Sequence, residues 1–129
     1  MIYVADTHAV LWFLTEDFNL SAAAKEKFEM AEEGEAVILI ASISLLELLY
    51  VCKKKKMLHL FTEFLQRLEN GNNYVIYDLD FEVVKLCLEL DKVDEMHDRV
   101  LVATAQLIGA PLITIDRNIC TSNYVETVW

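Results

Sequence analysis

The sequence contains few residues that interrupt regular structure, since only three of its 129 residues are glycine and one is proline. Loop-rich all-β folds, collagen-like repeats and flexible linkers need more of both, so the composition argues against each of them. Hydrophobic residues make up 55% of the chain and charged residues 25%. This balance predicts one globular domain over residues 1–129, large enough to form a core without a disulfide or a structural metal.

Cysteine is also scarce, and its pattern does not suggest a disulfide framework. Cys52, Cys87 and Cys120 are odd in number, lie far apart and include no C-x-x-C pair. Such usage is typical of a reducing compartment in which buried thiols stay free. We therefore expect a cytoplasmic protein without disulfides.

No apolar run is long enough to span a membrane. The longest uncharged stretch, 100–115, falls short of the roughly 20 residues that a spanning helix needs, and Gln106, Gly109 and Pro111 interrupt it. The opening MIYVADTHAV reaches Asp6 without a basic leader, so it does not read as a signal peptide. The sequence predicts a soluble protein with no membrane partner.

Positive charge is in short supply, because 11 basic residues face 21 acidic ones and leave a formal net charge of −10. A surface this acidic repels polyanions, which alone argues against nucleic acid. Carboxylates around a divalent cation reverse the local sign, so the charge stays compatible with a metal-dependent nuclease. The only dense basic run, Lys53 to Lys56, is interpreted as a solvated helix end, with contact to RNA phosphates as the alternative.

Short strands and helices are predicted to alternate along the chain. Apolar, β-branched runs predict strands at 2–5, 37–41, 74–79, 112–115 and 124–128. Helical patterns predict a short helix near His8, a helix from a Ser21 cap to about Gly34, and helices over 42–56, 58–68, 81–90 and 98–108. Alternation with nearly continuous apolar strands predicts an α/β, three-layer fold whose central, mostly parallel sheet is flanked by helices.

Four carboxylates are placed where such a fold binds ligands. Asp6 and Asp116 each follow a predicted strand, Glu47 lies about one turn into the helix after the second strand, and Asp98 opens a later helix. Ligands of open parallel sheets bind at the carboxyl ends of the strands, so all four could converge on one rim. Their mutual repulsion would need a cation, and oxygen ligands favour Mg²⁺ or Mn²⁺.

At these positions the sequence resembles the PIN-domain ribonucleases, in particular the VapC-type toxins of toxin-antitoxin pairs. The segment VADTHAVLWFL resembles the family's first strand with its aspartate, Asp6, and SISLLEL resembles the helix that carries Glu47. The segment HDRVLVATAQLIGAPLITIDRNI matches the pattern that assigns Asp98, Thr114 and Asp116. The four motifs occur in the family's order over nearly the whole chain.

The resemblance implies a PIN-like fold in which Asp6, Glu47, Asp98 and Asp116 bind Mg²⁺ or Mn²⁺ and catalyse endonucleolytic cleavage of RNA. It also implies a homodimer and an antitoxin protein as partner. Thr114 is the candidate for a supporting hydroxyl that orients Asp116 or a metal-bound water, and Asn118 is a weaker candidate for the same role.

Structural explanations compete for some of these residues. Ser44 and Glu47 have the spacing of a capping box, and Asp98 in a first helical turn would be favoured by the helix dipole. Asp6 and Asp116 follow strands without an obvious turn glycine, so a structural explanation is harder to find for them. Asp94 is a minor candidate ligand, and His97 is expected in an exposed loop, with contact to the substrate as the alternative. The alternative function is a PIN-like module without catalysis that binds protein or RNA.

Overall fold

The computed structural model describes residues 1–71 and 73–129 and contains a five-stranded parallel sheet. Its strands run in the order β3-β2-β1-β4-β5. Their bounds are Ile2–Ala5 (β1), Val37–Ala41 (β2), Tyr74–Tyr77 (β3), Leu112–Ile113 (β4) and Thr127–Val128 (β5). The predicted α/β class with a parallel sheet is confirmed.

Helices connect the strands and form the two outer layers. Thr7–Leu14 (α1) and Ala22–Glu32 (α2) link β1 to β2, and Ser42–Lys54 (α3) and Leu58–Glu69 (α4) link β2 to β3. Phe81–Cys87 (α5) and Met96–Ile108 (α6) lead to β4, and Arg117–Ser122 (α7) leads to β5. The predicted caps are present, since Ser21 accepts from Ala24 N–H and Asp80 from Val83 N–H.

Alternate residues of the strands supply two separate cores. Tyr3, Ile38 and Ile113 face one layer, where they pack with buried side chains of α1 to α4 such as Phe28. Their neighbours along the strands face the other layer and pack with α5, α6 and α7. The sheet is therefore covered on both sides, as the continuous apolar strands predicted.

The order of the strands creates a switch point between β1 and β4. From β1 the chain moves through β2 to β3 on one side, and then returns to place β4 and β5 on the other side of β1. The connecting helices change face at the same step. In open α/β sheets, the crevice at the carboxyl ends of two such strands is where ligands bind.

The C-terminal region departs most from the prediction. Strand β5 covers only the last part of 124–128, because Tyr124 is held outside the sheet. Its carbonyl accepts from Gln106 Nε2 at 3.0 Å, and its hydroxyl accepts from Lys92 N–H at 3.2 Å. The short helix α7 was not predicted, and α6 begins at Met96, two residues before Asp98.

The structure also addresses the predictions of free cysteines and of no membrane-spanning helix. All three cysteines are free, but only Cys52 is fully buried, whereas Cys87 and Cys120 are half-buried. Within 1–71 and 73–129, no helix combines the length and the apolar character that crossing a bilayer requires.

Candidate metal centre

Asp6 stands where β1 passes into α1. Its backbone N–H donates to the carbonyl of Ile113 on β4 at 3.1 Å, which holds it at the switch point. Its Oδ1 accepts from Ala9 N–H at 2.8 Å and so caps α1. The first turn of α1 is thereby fixed by the same side chain that the sequence marks as a candidate ligand.

Asp116 occupies the equivalent place after β4 and is linked to Asp6. Its Oδ1 accepts from Ile119 N–H at 3.0 Å and caps α7. The buried Thr114 joins the two aspartates, because its hydroxyl donates to Asp6 Oδ2 and accepts from Asp116 N–H at 3.0 Å. One hydroxyl therefore sets the relative positions of two carboxylate-bearing segments.

The expectation that Asp6 and Asp116 have little structural reason to stand there was wrong. Each caps a helix, and an aspartate in that place stabilises a protein by about 1 kcal/mol relative to alanine. The cap of Asp116 was missed because α7 has only six residues and no marked apolar periodicity. Capping leaves Asp116 Oδ2 without a hydrogen-bond donor among the residues that the structure describes.

Glu47 reaches the same rim from α3. This helix begins directly after β2, the strand beside β1, and Glu47 is its sixth residue and half-buried. The capping-box interpretation was wrong, because the residue at the cap is Ala41 and Ser44 lies buried inside the helix. Helix capping therefore does not explain why a glutamate is half-buried at this position.

Asp98 enters from α6, as the third residue of that helix. Its own N–H donates to Glu95 Oε2 at 2.9 Å, so the N-cap is Glu95. Its half-buried carboxylate accepts no hydrogen bond from any residue in the described ranges, and neither does that of Glu47. Two carboxylates thus stand partly out of water without a donor to satisfy them.

The electrostatics show that the four acidic side chains share one region. Burial raises the pKa of Asp98 to about 7, and the negative charges of Asp116, Glu95, Asp6 and Glu47 add to the rise. Burial also raises the pKa of Asp6, against the lowering effect of its hydrogen bonds from Thr114 and Ala9. The carboxylates therefore repel one another at neutral pH, and a cation bound between them would relieve this repulsion.

The side chains as placed do not form a closed coordination shell. In the described parts of the chain, no three His, Cys, Asp or Glu side chains are gathered tightly enough to hold a metal ion. The chemistry of the donor set nevertheless fits Mg²⁺ or Mn²⁺, which are bound by a few carboxylates and keep several waters. Asp6, Glu47, Asp98 and Asp116 supply such oxygens at one end of the sheet.

Glu95, which is hydrogen-bonded to His97, is the neighbour that the sequence reasoning missed. Glu95 Oε1 lies 2.6 Å from His97 Nδ1, and this hydrogen bond raises the pKa of His97. Despite burial, the hydrogen bonds from His97 and Asp98 N–H lower the pKa of Glu95. His97 is half-buried at the start of α6 rather than in an exposed loop. Glutamate is not among the preferred N-cap residues, so its role had no sequence signal.

Two other candidates form no side-chain hydrogen bond to the four carboxylates within the described residues. Asn118 Oδ1 accepts from Asp94 N–H at 3.3 Å, so its amide tethers the loop before α6 rather than Asp116. The Lys53 to Lys56 run is exposed at the far end of α3, with Lys53 about 9 Å along the helix axis from Glu47. That position suits a solvated helix end, and contact with RNA stays a prediction.

Comparison with known proteins shows a family for this chain and several solved structures of similar fold. Residues 3–121 match the family described as PIN domain. A chain of VapBC2 from Rickettsia felis, solved bound to a promoter DNA fragment, has a TM-score of 0.74 at 20% identity, covering 98% of this chain and 97% of its own. A chain of DNA-bound VapBC from Salmonella typhimurium has a TM-score of 0.72 at 18% identity. The match covers 98% of this chain and 96% of that chain.

A toxin-antitoxin complex from Klebsiella pneumoniae also contains a similar chain. Its TM-score is 0.65 at 20% identity, with 95% of this chain and 94% of that chain covered. At these identities the likeness is one of fold. No curated protein sequence matches the chain significantly.

Proposed function

The chain belongs to the PIN-domain family, a family of nucleases, and from this premise we propose that it is a metal-dependent endoribonuclease. Asp6, Glu47, Asp98 and Asp116 are its catalytic and metal-binding residues in this proposal. The observation that supports it most is the bridge of Thr114 between two aspartates at the switch point. Asp98 lies beside them, and burial together with the neighbouring negative charges raises its pKa to about 7.

Asp6, Glu47, Asp98 and Asp116 would hold Mg²⁺ or Mn²⁺, which would supply a water of lowered pKa and a positive charge against the phosphodiester. The chain's own contribution is to position the ligands. Thr114 fixes Asp6 Oδ2, and the cap of α7 holds Asp116 Oδ1 while its other oxygen stays free of donors in the described structure. Glu95 holds the first turn of α6 and with it Asp98.

The proposal includes the role of a toxin whose partner is an antitoxin protein. The proteins of similar fold were solved as VapBC or toxin-antitoxin complexes. The chain also exposes large apolar side chains suited to a protein partner or a homodimer, including Phe18, Phe81 (71% exposed) and Leu88 (83% exposed). Size-exclusion chromatography with light scattering would test the homodimer, and co-expression with neighbouring open reading frames would test the antitoxin.

Cleavage of a panel of structured and unstructured RNAs with Mn²⁺ tests the nuclease. Asn caps a helix about as well as Asp, so Asp6→Asn and Asp116→Asn remove charge while keeping the caps. Each should lower the rate about a thousandfold, which corresponds to roughly 4 kcal/mol of transition-state stabilisation. Asp78→Asn, an exposed residue after β3, is the matched control and should cleave normally.

Metal removal gives an independent reading. EDTA should abolish cleavage, and Mg²⁺ or Mn²⁺ but not Ca²⁺ should restore it, because Ca²⁺ takes looser coordination. Cleavage that persists in the Asp6→Asn, Asp116→Asn double variant would come from a contaminant.

The second candidate function is a non-catalytic interaction module. It is favoured by the capping roles of Asp6 and Asp116 and by the open arrangement of the carboxylates. An unchanged Tm in Mn²⁺, together with no cleavage of any RNA, would support it, since a ligand that binds the folded state must stabilise it.

A further inference from the structure

Three aromatic rings stand in contact beside the candidate metal centre. The His8 and Trp12 rings are 5.8 Å apart between centroids and tilted by 50°. Trp12 meets Trp129 edge to face, with centroids 5.7 Å apart. We call these residues the aromatic row. Both tryptophans of the chain belong to it, since the sequence contains only two.

The topology places the start of the aromatic row, His8, on the same rim as the carboxylates. His8 is the second residue of α1, follows Asp6 by two positions and interacts electrostatically with its carboxylate. Trp129 follows β5, whose Val128 carbonyl accepts from Thr114 N–H at 3.3 Å. The row thus begins next to Asp6 and ends at the strand beside Thr114.

The two ends of the row differ in exposure. Trp12 and Trp129 are half-buried and pack the end of the chain against α1, which is a sufficient structural reason for both. His8 is exposed, and its ring contributes little to the core. Because Trp12 supports it from one turn further along α1, the ring is held in place while part of it faces solvent.

We propose that His8, backed by Trp12 and Trp129, stacks against an unpaired base of the RNA next to the phosphodiester held at the acidic centre. The inference rests on the proposed ribonuclease function and adds a residue that positions the RNA, since the exposed His8 ring lies two positions after Asp6 and contacts Trp12. Exposed aromatic rings bind unpaired bases in this way, with little dependence on base identity. A base in a duplex has no free face to offer.

Intrinsic tryptophan fluorescence reports directly on this place, because both tryptophans lie in the row. We would titrate the full chain with a single-stranded oligonucleotide and with its duplex in Ca²⁺, which neutralises the carboxylates, and follow RNA integrity on a gel. The single strand should change the fluorescence saturably, and the duplex should bind at least about fivefold more weakly.

Substitution of His8 separates stacking from general attraction. His8→Ala should weaken binding of the single strand at least about fivefold and raise KM for cleavage with little change in kcat. His8→Phe, which keeps a ring without the imidazole, should bind within about twofold of wild type. His59→Ala, which removes an exposed histidine of α4, is the matched control and should change neither value.

The outcomes distinguish this inference from the proposed function. Cleavage by the wild type with an unchanged KM in His8→Ala overturns the stacking role and leaves the nuclease standing. Absence of cleavage with His8-dependent binding overturns the nuclease and retains the stacking site. Equal binding of single strand and duplex, or weak binding by His8→Phe, contradicts the role of the ring.

Discussion

Replacing Asp98 with asparagine should make the protein more stable while removing its activity. In the folded protein the pKa of Asp98 is about 7, against 3.8 for an unperturbed group, through burial and the charges of Asp116, Glu95, Asp6 and Glu47. Between these two pH values the folded state binds more protons than the unfolded state. The free energy of unfolding therefore falls as pH rises from about 4 to 7, and the cost of the charge is complete above pH 7.

The size of the effect follows from the pKa and from exposure. A rise of about three pKa units corresponds to about 4 kcal/mol without solvent screening. Because Asp98 is only half-buried, screening reduces the expected gain to about 1–2 kcal/mol at pH 8. For a chain of this length that gain raises Tm by roughly 3–8 °C.

Thermal unfolding of the wild type, Asp98→Asn and Asp78→Asn from pH 4 to 8 would measure it. The difference between Asp98→Asn and wild type should be near zero at pH 4 and grow up to pH 7, whereas Asp78→Asn, an exposed control after β3, should follow the wild type. Mn²⁺ should raise the Tm of the wild type more than that of Asp98→Asn. A difference that is independent of pH would refute the reasoning.

Two further variants test how the centre is held. Thr114→Val should lower the free energy of unfolding by about 1–3 kcal/mol, because Asp116 N–H loses its acceptor and Asp6 loses a donor. Thr114→Ser keeps the hydroxyl and should retain most of the stability. Equal Tm values for the Val and Ser variants would contradict the bridge. Glu95→Ala should lower the free energy of unfolding by about 1 kcal/mol, because Asp98 N–H loses its cap. It should also lower the pKa of Asp98 by removing a negative charge, so that the stability lost on ionising Asp98 is lost at lower pH in thermal melts. An unchanged pH profile would show that Glu95 does not act on Asp98.

Much of the fold follows from local patterns in the sequence. β1 and β2 are continuous apolar runs, and Ser21, Asp80 and Gly109 mark helix ends with side chains or conformations suited to them. The C-terminal region does not follow, because tertiary contacts set it. Tyr124 stays outside β5 through hydrogen bonds to Gln106 and Lys92, which are distant in sequence.

The candidate site shows the same division. That Asp6 and Asp116 lie together follows from their places after strands, since parallel strands end at a common edge. Their caps and the bridge through Thr114 depend on rotamers and on a neighbour 108 positions away, which no local pattern encodes. The role of Glu95 was not predicted because Glu95 is the N-cap of α6, and α6 begins two residues earlier than the pattern indicated.

Asp6 and Asp116 stabilise the fold as helix caps and destabilise it through charge repulsion. These opposing effects determine which substitutions are informative. Each capping aspartate satisfies a helix N-terminus through one oxygen, while its charge adds to a repulsion that a cation would relieve. Alanine at either position would remove cap and charge together, so loss of activity could not be separated from loss of structure. Asparagine keeps the acceptor and removes only the charge. A stable, inactive asparagine variant would therefore assign to Asp6 or Asp116 a function beyond the cap.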